Sequence, residues 1–218
     1  MSRRLRTYEA DDITVTWDAR RCIHAAACVR GLPEVFDPDR KPWVDPAAAP
    51  ADEIARVIQR CPTGALQYER HDGGPDEKPV ERAEARLGVD GPVFVRGDLC
   101  IEVPGGDVIR DTRAALCRCG ASADKPFCDG SHVEAGFADP GLIQGGRLVP
   151  LPDEETAQVT LTCAENGPVL LRGSLRIAAN DGTVVEGEKG ALCRCGLSGT
   201  KPFCDGSHAR EAFEAPGS

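Results

Sequence analysis

Apolar and polar positions alternate along Ile13-Thr-Val-Thr-Trp17, the pattern of a half-buried strand. From Asp52 to Arg60 the spacing changes to that of a helix, with Ile54, Val57 and Ile58 on one side. Between these, Cys22 to Pro33 reads as a loop running into a short helix that ends near Gly31-Leu-Pro33. Val35-Phe36 and Trp43-Val44 are short strand candidates around the Asp37-Pro-Asp turn, and the stretch after Gly64 reads as a last strand. The predicted order over residues 1–70 is β-α-β-β-α-β.

A polar stretch rich in Gly and Pro, residues 71–85, reads as a linker in which His71 is a solvated residue. Beyond it the chain repeats itself. Gly91-Pro-Val-Phe-Val-Arg-Gly answers to Gly167-Pro-Val-Leu-Leu-Arg-Gly, and Phe137 to Phe213, each 76 positions on. Within each copy the first half is β-rich: Val93, Val95, Leu99 and Ile101 mark alternating positions. Pro104 to Asp107 and Asn180-Asp-Gly182 are predicted hairpin turns. The predicted modules are residues 86–138 and 159–214, joined by a Gly/Pro-rich crossover at 139–158.

The chemistry sits in the second half of each copy. Cys117-Arg-Cys119-Gly-Ala-Ser122-Ala-Asp-Lys-Pro126-Phe-Cys128-Asp-Gly-Ser-His132 returns as Cys193-Arg-Cys195-Gly-Leu-Ser198-Gly-Thr-Lys-Pro202-Phe-Cys204-Asp-Gly-Ser-His208. In an extended segment, side chains two apart point the same way, so Cys117 and Cys119 can grip one metal atom. Cys128 and His132 share a face if a helix starts near Asp129, and can grip a second. Such a helix would aim its positive end at a negatively charged cluster. Ser122 and Ser198 are small donors suited to hydrogen-bonding sulfur or bracing the loop.

Both stretches resemble the CDGSH iron–sulfur family, the mitoNEET-type proteins, at every fixed position of C-x-C-x2-[ST]-x3-P-x-C-D-G-[ST]-H. The resemblance implies one 2Fe–2S cluster per motif. Cys117 and Cys119 would hold one iron, Cys128 and His132 the other, with Cys193, Cys195, Cys204 and His208 repeating the arrangement. Single-motif members form homodimers, so two motifs in one chain look like that dimer fused into a pseudo-two-fold monomer. Zinc is the competing reading, since three Cys and one His also make a structural zinc set.

The first unit resembles single-cluster bacterial ferredoxins, with their C-x2-C-x2-C and remote C-P pattern. Here the middle Cys is replaced by Ala25, leaving Cys22, Cys28 and Cys61. The simplest consequence is a 3Fe–4S cluster. A 4Fe–4S cluster needs a fourth ligand, for which His24 is the nearby candidate; otherwise His24 tunes the cluster as a neighbour. A degenerate domain without a cluster is the third reading. The fold class implied is α+β: a ferredoxin-like βαββαβ unit followed by two β-rich CDGSH modules as a pseudo-two-fold pair.

Composition narrows the function. The formal charge of -9 argues against nucleic acid, which needs basic patches, and is compatible with docking to a basic redox partner. No apolar stretch approaches the length of a membrane span, and Met1 to Asp12 has no apolar run of a signal peptide. Eleven cysteines then fit metal-bound thiolates in a reducing cytoplasm better than disulfides, with Cys100 and Cys163 outside the ligand positions as half-buried strand residues. No catalytic triad, phosphate loop or paired-carboxylate site is present, so the expectation is a non-enzyme whose chemistry belongs to its clusters. An electron carrier meeting a reductase or oxidase leads; a cluster donor to apo iron–sulfur acceptors, or a redox and pH sensor, follows; a structural zinc protein is third. One His ligand predicts potentials between all-Cys clusters near about -400 mV and two-His clusters at about -150 to +300 mV, falling as pH rises.

Overall fold

The computed structural model describes residues 5–151 and 157–218. The arginines before Leu5 and residues 152–156 of the expected crossover lie outside the described residues. The chain divides into two compact units, Met1–Lys78 and Pro79–Ser218. Both are β-rich, and the helices are few and short.

In the first unit, β1 (Leu5–Glu9), β2 (Ile13–Asp18) and β3 (Leu66–Arg70) form an antiparallel sheet in the order β1-β2-β3. The helices α1 (Ala27–Gly31) and α2 (Ala51–Ile58) fall between β2 and β3. The alternation in β2 buries Ile13 and Val15, which pack with Ile54 and Ile58 of α2, Phe36 and Leu66. This is not the expected βαββαβ order. The middle strand pair is a single bridge, Phe36 to Val44, because the turn between them carries two prolines, which donate no ladder hydrogen bond. An unforeseen strand, β1, precedes β2; it is mostly exposed, so hydrophobic patterning carries little sign of it.

In the second unit, β5 (Val93–Glu102) pairs with β6 (Val108–Leu116), and β8 (Val169–Ala178) with β9 (Val184–Leu192). The two hairpins share one register. Val93 faces Leu116 as Val169 faces Leu192, and each ladder shifts once, after Arg96 and after Arg172. Two short strands link the hairpins crosswise. β4 (Ala83–Leu87) runs antiparallel to β5 and parallel to β8; β7 (Gln158–Cys163) runs parallel to β5 and antiparallel to β8. The pairings are reciprocal: Ala83 faces Leu175, and Val159 faces Leu99. β4 therefore occupies what sequence marks as the end of a linker. Its Ala83, Ala85 and Leu87 are buried in a core with Val95, Leu99 and Leu175. Cys100 is half-buried on β5, whereas Cys163 is fully buried at the end of β7.

Candidate metal centres

Each ligand loop of the second unit grows out of a strand end. β6 ends at Leu116, and its next residue, Cys117, donates its N–H to Pro126 O at 2.8 Å, while Cys128 N–H donates to Ala115 O at 2.8 Å. The loop is thus pinched at its base. Cys193 to Pro202 (2.8 Å) and Cys204 to Ala191 (2.9 Å) repeat the pinch after β9.

Side chains fix the interior of the loop. Ser122 Oγ donates to Phe127 O at 2.7 Å and accepts from Asp124 N–H at 3.0 Å. Ser198 donates to Phe203 O in the same way, at 2.7 Å. Of the two roles open to these serines, bracing the loop is the one the structure displays. Asp129 Oδ2 accepts from Ala123 N–H and Asp205 Oδ2 from Gly199 N–H, both at 2.8 Å. Burial works against the charge of Asp129, but hydrogen bonds from Ser131 and Ala123 outweigh it and hold its carboxyl below the usual range. Hydrogen bonds from Gly199 and Ser207 depress Asp205 as well. A depressed carboxylate stabilises the fold above its unfolded value and loses that contribution as pH falls through the folded one. These ties therefore persist at neutral pH and are lost only in acid.

The donor atoms come in twos. Cys117 Sγ lies 3.7 Å from Cys119 Sγ, and Cys128 Sγ lies 3.3 Å from His132 Nδ1. Cys193 and Cys195 are also 3.7 Å apart, and Cys204 and His208 Nδ1 3.3 Å. The helix expected from Asp129 does not form there. The first copy makes hydrogen-bonded turns, and the second has only α3 (Ser207–Arg210), entered through a left-handed Gly206. The Cys–His pair closes nonetheless, because one turn suffices to bring positions four apart together. A four-residue helix, in one copy only, gives little support to a helix-dipole contribution.

The thiols are electrostatically coupled. The Cys117 S–H holds Cys119 down to about 6, and Cys117 is pushed up in return, by that hydrogen bond and by burial. Burial pushes Cys128 up to about 11. A metal that replaces these protons relieves the crowding of several thiols in little water, as clusters do. Each loop thus presents one thiol pair and one thiol–imidazole pair.

One functional residue escaped the sequence reading: the Arg between the paired cysteines. Arg118 and Arg194 are each 1% exposed. Arg118 donates from Nε to Gly91 O (2.9 Å) and from Nη2 to Gly88 O, and pairs with Asp139 at 2.5 Å. Arg194 donates instead to the carbonyls of Gly167, Ala164 and Pro216, at 2.9, 2.6 and 2.9 Å. Each lies over the ring of the Phe that follows its own loop, Phe137 or Phe213. The repeated Cys-Arg-Cys was the available signal. Each Arg ties its ligand loop to the turn at the start of its repeat.

In the first unit, Cys22 follows β2, Cys28 lies in α1 and Cys61 follows α2. All three line a cavity of about 960 Å³, with His24, Trp17 and Trp43. Arg21 Nη2 donates to Thr63 O at 2.6 Å and so joins the Cys22 segment to the Cys61 turn. Burial raises the Cys28 thiol, and the neighbouring sulfurs of Cys61 and Cys22 raise it further. Three soft donors from three segments, facing one cavity, fit an iron–sulfur cluster. His71 stands apart, 2.8 Å from Thr14 Oγ1 on the surface.

Residues 8–71 match the family described as divergent 4Fe-4S mono-cluster. Residues 90–133 and 166–209 match the iron-binding zinc finger of CDGSH type. The uncharacterized protein YjdI of Escherichia coli K12 is 39% identical over 66 residues, which are 30% of this chain and 86% of that protein. The YjdI of Escherichia coli O157:H7 matches to the same extent. No solved structure matches the chain. Among the described residues no helix is long and apolar enough to cross a membrane.

Proposed function

Because the chain belongs to the CDGSH iron–sulfur domain family, with two CDGSH modules joined to a divergent mono-cluster domain, we propose that it is an electron-transfer protein rather than an enzyme. Cys117, Cys119, Cys128 and His132 would hold one 2Fe–2S cluster, and Cys193, Cys195, Cys204 and His208 a second. Cys22, Cys28 and Cys61 would hold a third cluster; the family match favours four irons over the three expected from the missing Cys. Bound clusters supply one-electron chemistry. The protein residues hold the irons, keep water from the buried sulfurs and set the charge around them.

The observation that carries this reading is the contact between the two CDGSH loops. A Cβ on Gly120 would stand 2.1 Å from Cys195 O, and one on Gly196 2.3 Å from Cys119 O. The ligand loops meet backbone to backbone within one unit, which suits passage of an electron between their clusters. The same reciprocity, with the crossed pairing of β4 and β7, supports a fused, pseudo-two-fold dimer that works as a monomer.

Stopped-flow reduction of the anaerobically purified protein by a ferredoxin reductase tests the assignment. Fast reduction with the clusters retained is the expected result. Slow reduction, with rapid transfer of the clusters to an apo-acceptor, would show a cluster donor instead. Replacing both His132 and His208 by Cys adds a second check. Two thiolates in place of neutral imidazoles should move the 2Fe–2S midpoints toward the all-Cys value near about -400 mV and remove their pH slope. A slope that survives in redox titrations would detach the imidazoles from the irons.

A further inference from the structure

The N-terminal cavity holds more ligand chemistry than three thiols. Among the residues that line it, no aspartate or glutamate occurs, and His24 is the one imidazole. Its loop is built around the position that lacks a Cys. His24 and Ala26 both have left-handed backbones, φ 55° and 56°, so the chain turns sharply on either side of Ala25. Such conformations persist in non-glycine residues only where the surroundings impose them. The Ala25 carbonyl accepts from Arg30 Nη2 at 2.8 Å, and Ala26 O accepts the Arg30 N–H at 3.0 Å. The loop is therefore anchored to α1 just beyond His24. His24 is exposed and still lines the cavity, which places it at the mouth, whereas the three cysteines are half-buried.

We propose that the His24 imidazole is the fourth protein ligand of the N-terminal cluster, binding the iron that Ala25 leaves without a thiolate. Imidazole replaces thiolate on iron in other iron–sulfur centres, so the donor is chemically suited. The assignment rests on the reading that this unit holds a cluster, and it makes that cluster a 4Fe–4S centre with three Cys and one His.

The test uses the full chain, purified without oxygen, as wild type, His24→Ala and His24→Cys. Iron per chain and electron paramagnetic resonance are recorded before and after one-electron oxidation by ferricyanide. In the wild type, a 4Fe signal appears on reduction and no 3Fe signal is present as isolated. In His24→Ala, oxidation leaves a 3Fe signal and one iron fewer per chain, released as Fe(II). In His24→Cys the fourth iron stays and the midpoint of this cluster falls, a rescue that a merely structural His would not permit. The 2Fe signals of the second unit report that each variant has folded. His24→Ala with unchanged iron and spectra overturns the assignment and leaves the fourth iron to a solvent or exogenous ligand. A wild type that shows a 3Fe signal as isolated also overturns it. A wild type with 2Fe signals alone removes the N-terminal cluster, and with it the reading on which the assignment rests.

Discussion

Replacing Gly120 by Ala should damage the second ligand loop more than the first. Gly120 has φ +79°, a region costly to residues with a Cβ, and its added methyl would stand 2.1 Å from Cys195 O. The obstacle is backbone, so it cannot rotate away. It belongs to the loop of Cys193 and Cys195, 76 positions downstream. Relief requires that loop to move, and its sulfurs with it. Gly105 separates strain from collision: its φ is +102°, but an added Cβ meets nothing within 4 Å. Gly105→Ala should cost about 1–2 kcal/mol, the left-handed penalty alone. Gly120→Ala should cost several times more and shorten the lifetime of the second cluster in air. Marking the second site by His208→Cys lets the two 2Fe spectra be followed separately. Gly196→Ala should show the mirror-image effect on the first cluster, since its Cβ would meet Cys119 O at 2.3 Å. Equal effects of Gly120→Ala and Gly105→Ala would mean that the loops do not touch.

Arg118→Met should be the other severe change. It leaves Asp139, a buried carboxylate, without its 2.5 Å partner. Breaking one side of a buried ion pair costs about 3–5 kcal/mol, because the remaining charge stays out of water. Asp139→Asn in the same chain should recover part of that loss by removing the stranded charge. Arg194→Met offers no such rescue. Position 215, which answers to Asp139, is Ala, and the losses there are hydrogen bonds to neutral carbonyls. Anaerobic denaturant unfolding of Arg118→Met, Asp139→Asn, the double variant, Arg194→Met and the parent checks this. Absence of coupling between positions 118 and 139 would contradict the ion pair as a unit.

The two arginines also show where sequence reading stops. Cys-Arg-Cys advertises its sulfurs, because thiols two apart in an extended segment are a metal signature by themselves. The Arg between them reads as a surface cation, since charged side chains are seldom fully buried. Its partners are carbonyls at the start of the repeat and, beyond the loop, an acid for Arg118 and a carbonyl for Arg194, and no local pattern names them. The same limit applies to Ala83-Glu-Ala-Arg-Leu87. Its first three residues close the Gly/Pro-rich stretch 71–85 that reads as a linker and its last two open the module at 86, yet all five form one strand between two hairpins with Ala83, Ala85 and Leu87 inside. In the first unit, α2 and β2 were legible because one apolar face meets one core. The expected middle strands were not realised as strands, because two short apolar pairs around a Pro-containing turn do not sustain a ladder.

The order of residues by itself determined the candidate donor set and the duplication. Ligand identity is a matter of side-chain chemistry at short spacing, and a repeat is visible without folding anything. Tertiary structure alone decided which strands neighbour which, that the ligand loops back onto each other, and that each loop is anchored by a buried Arg. Those relations join positions tens of residues apart, and alternation along a strand records which face is buried but not what covers it.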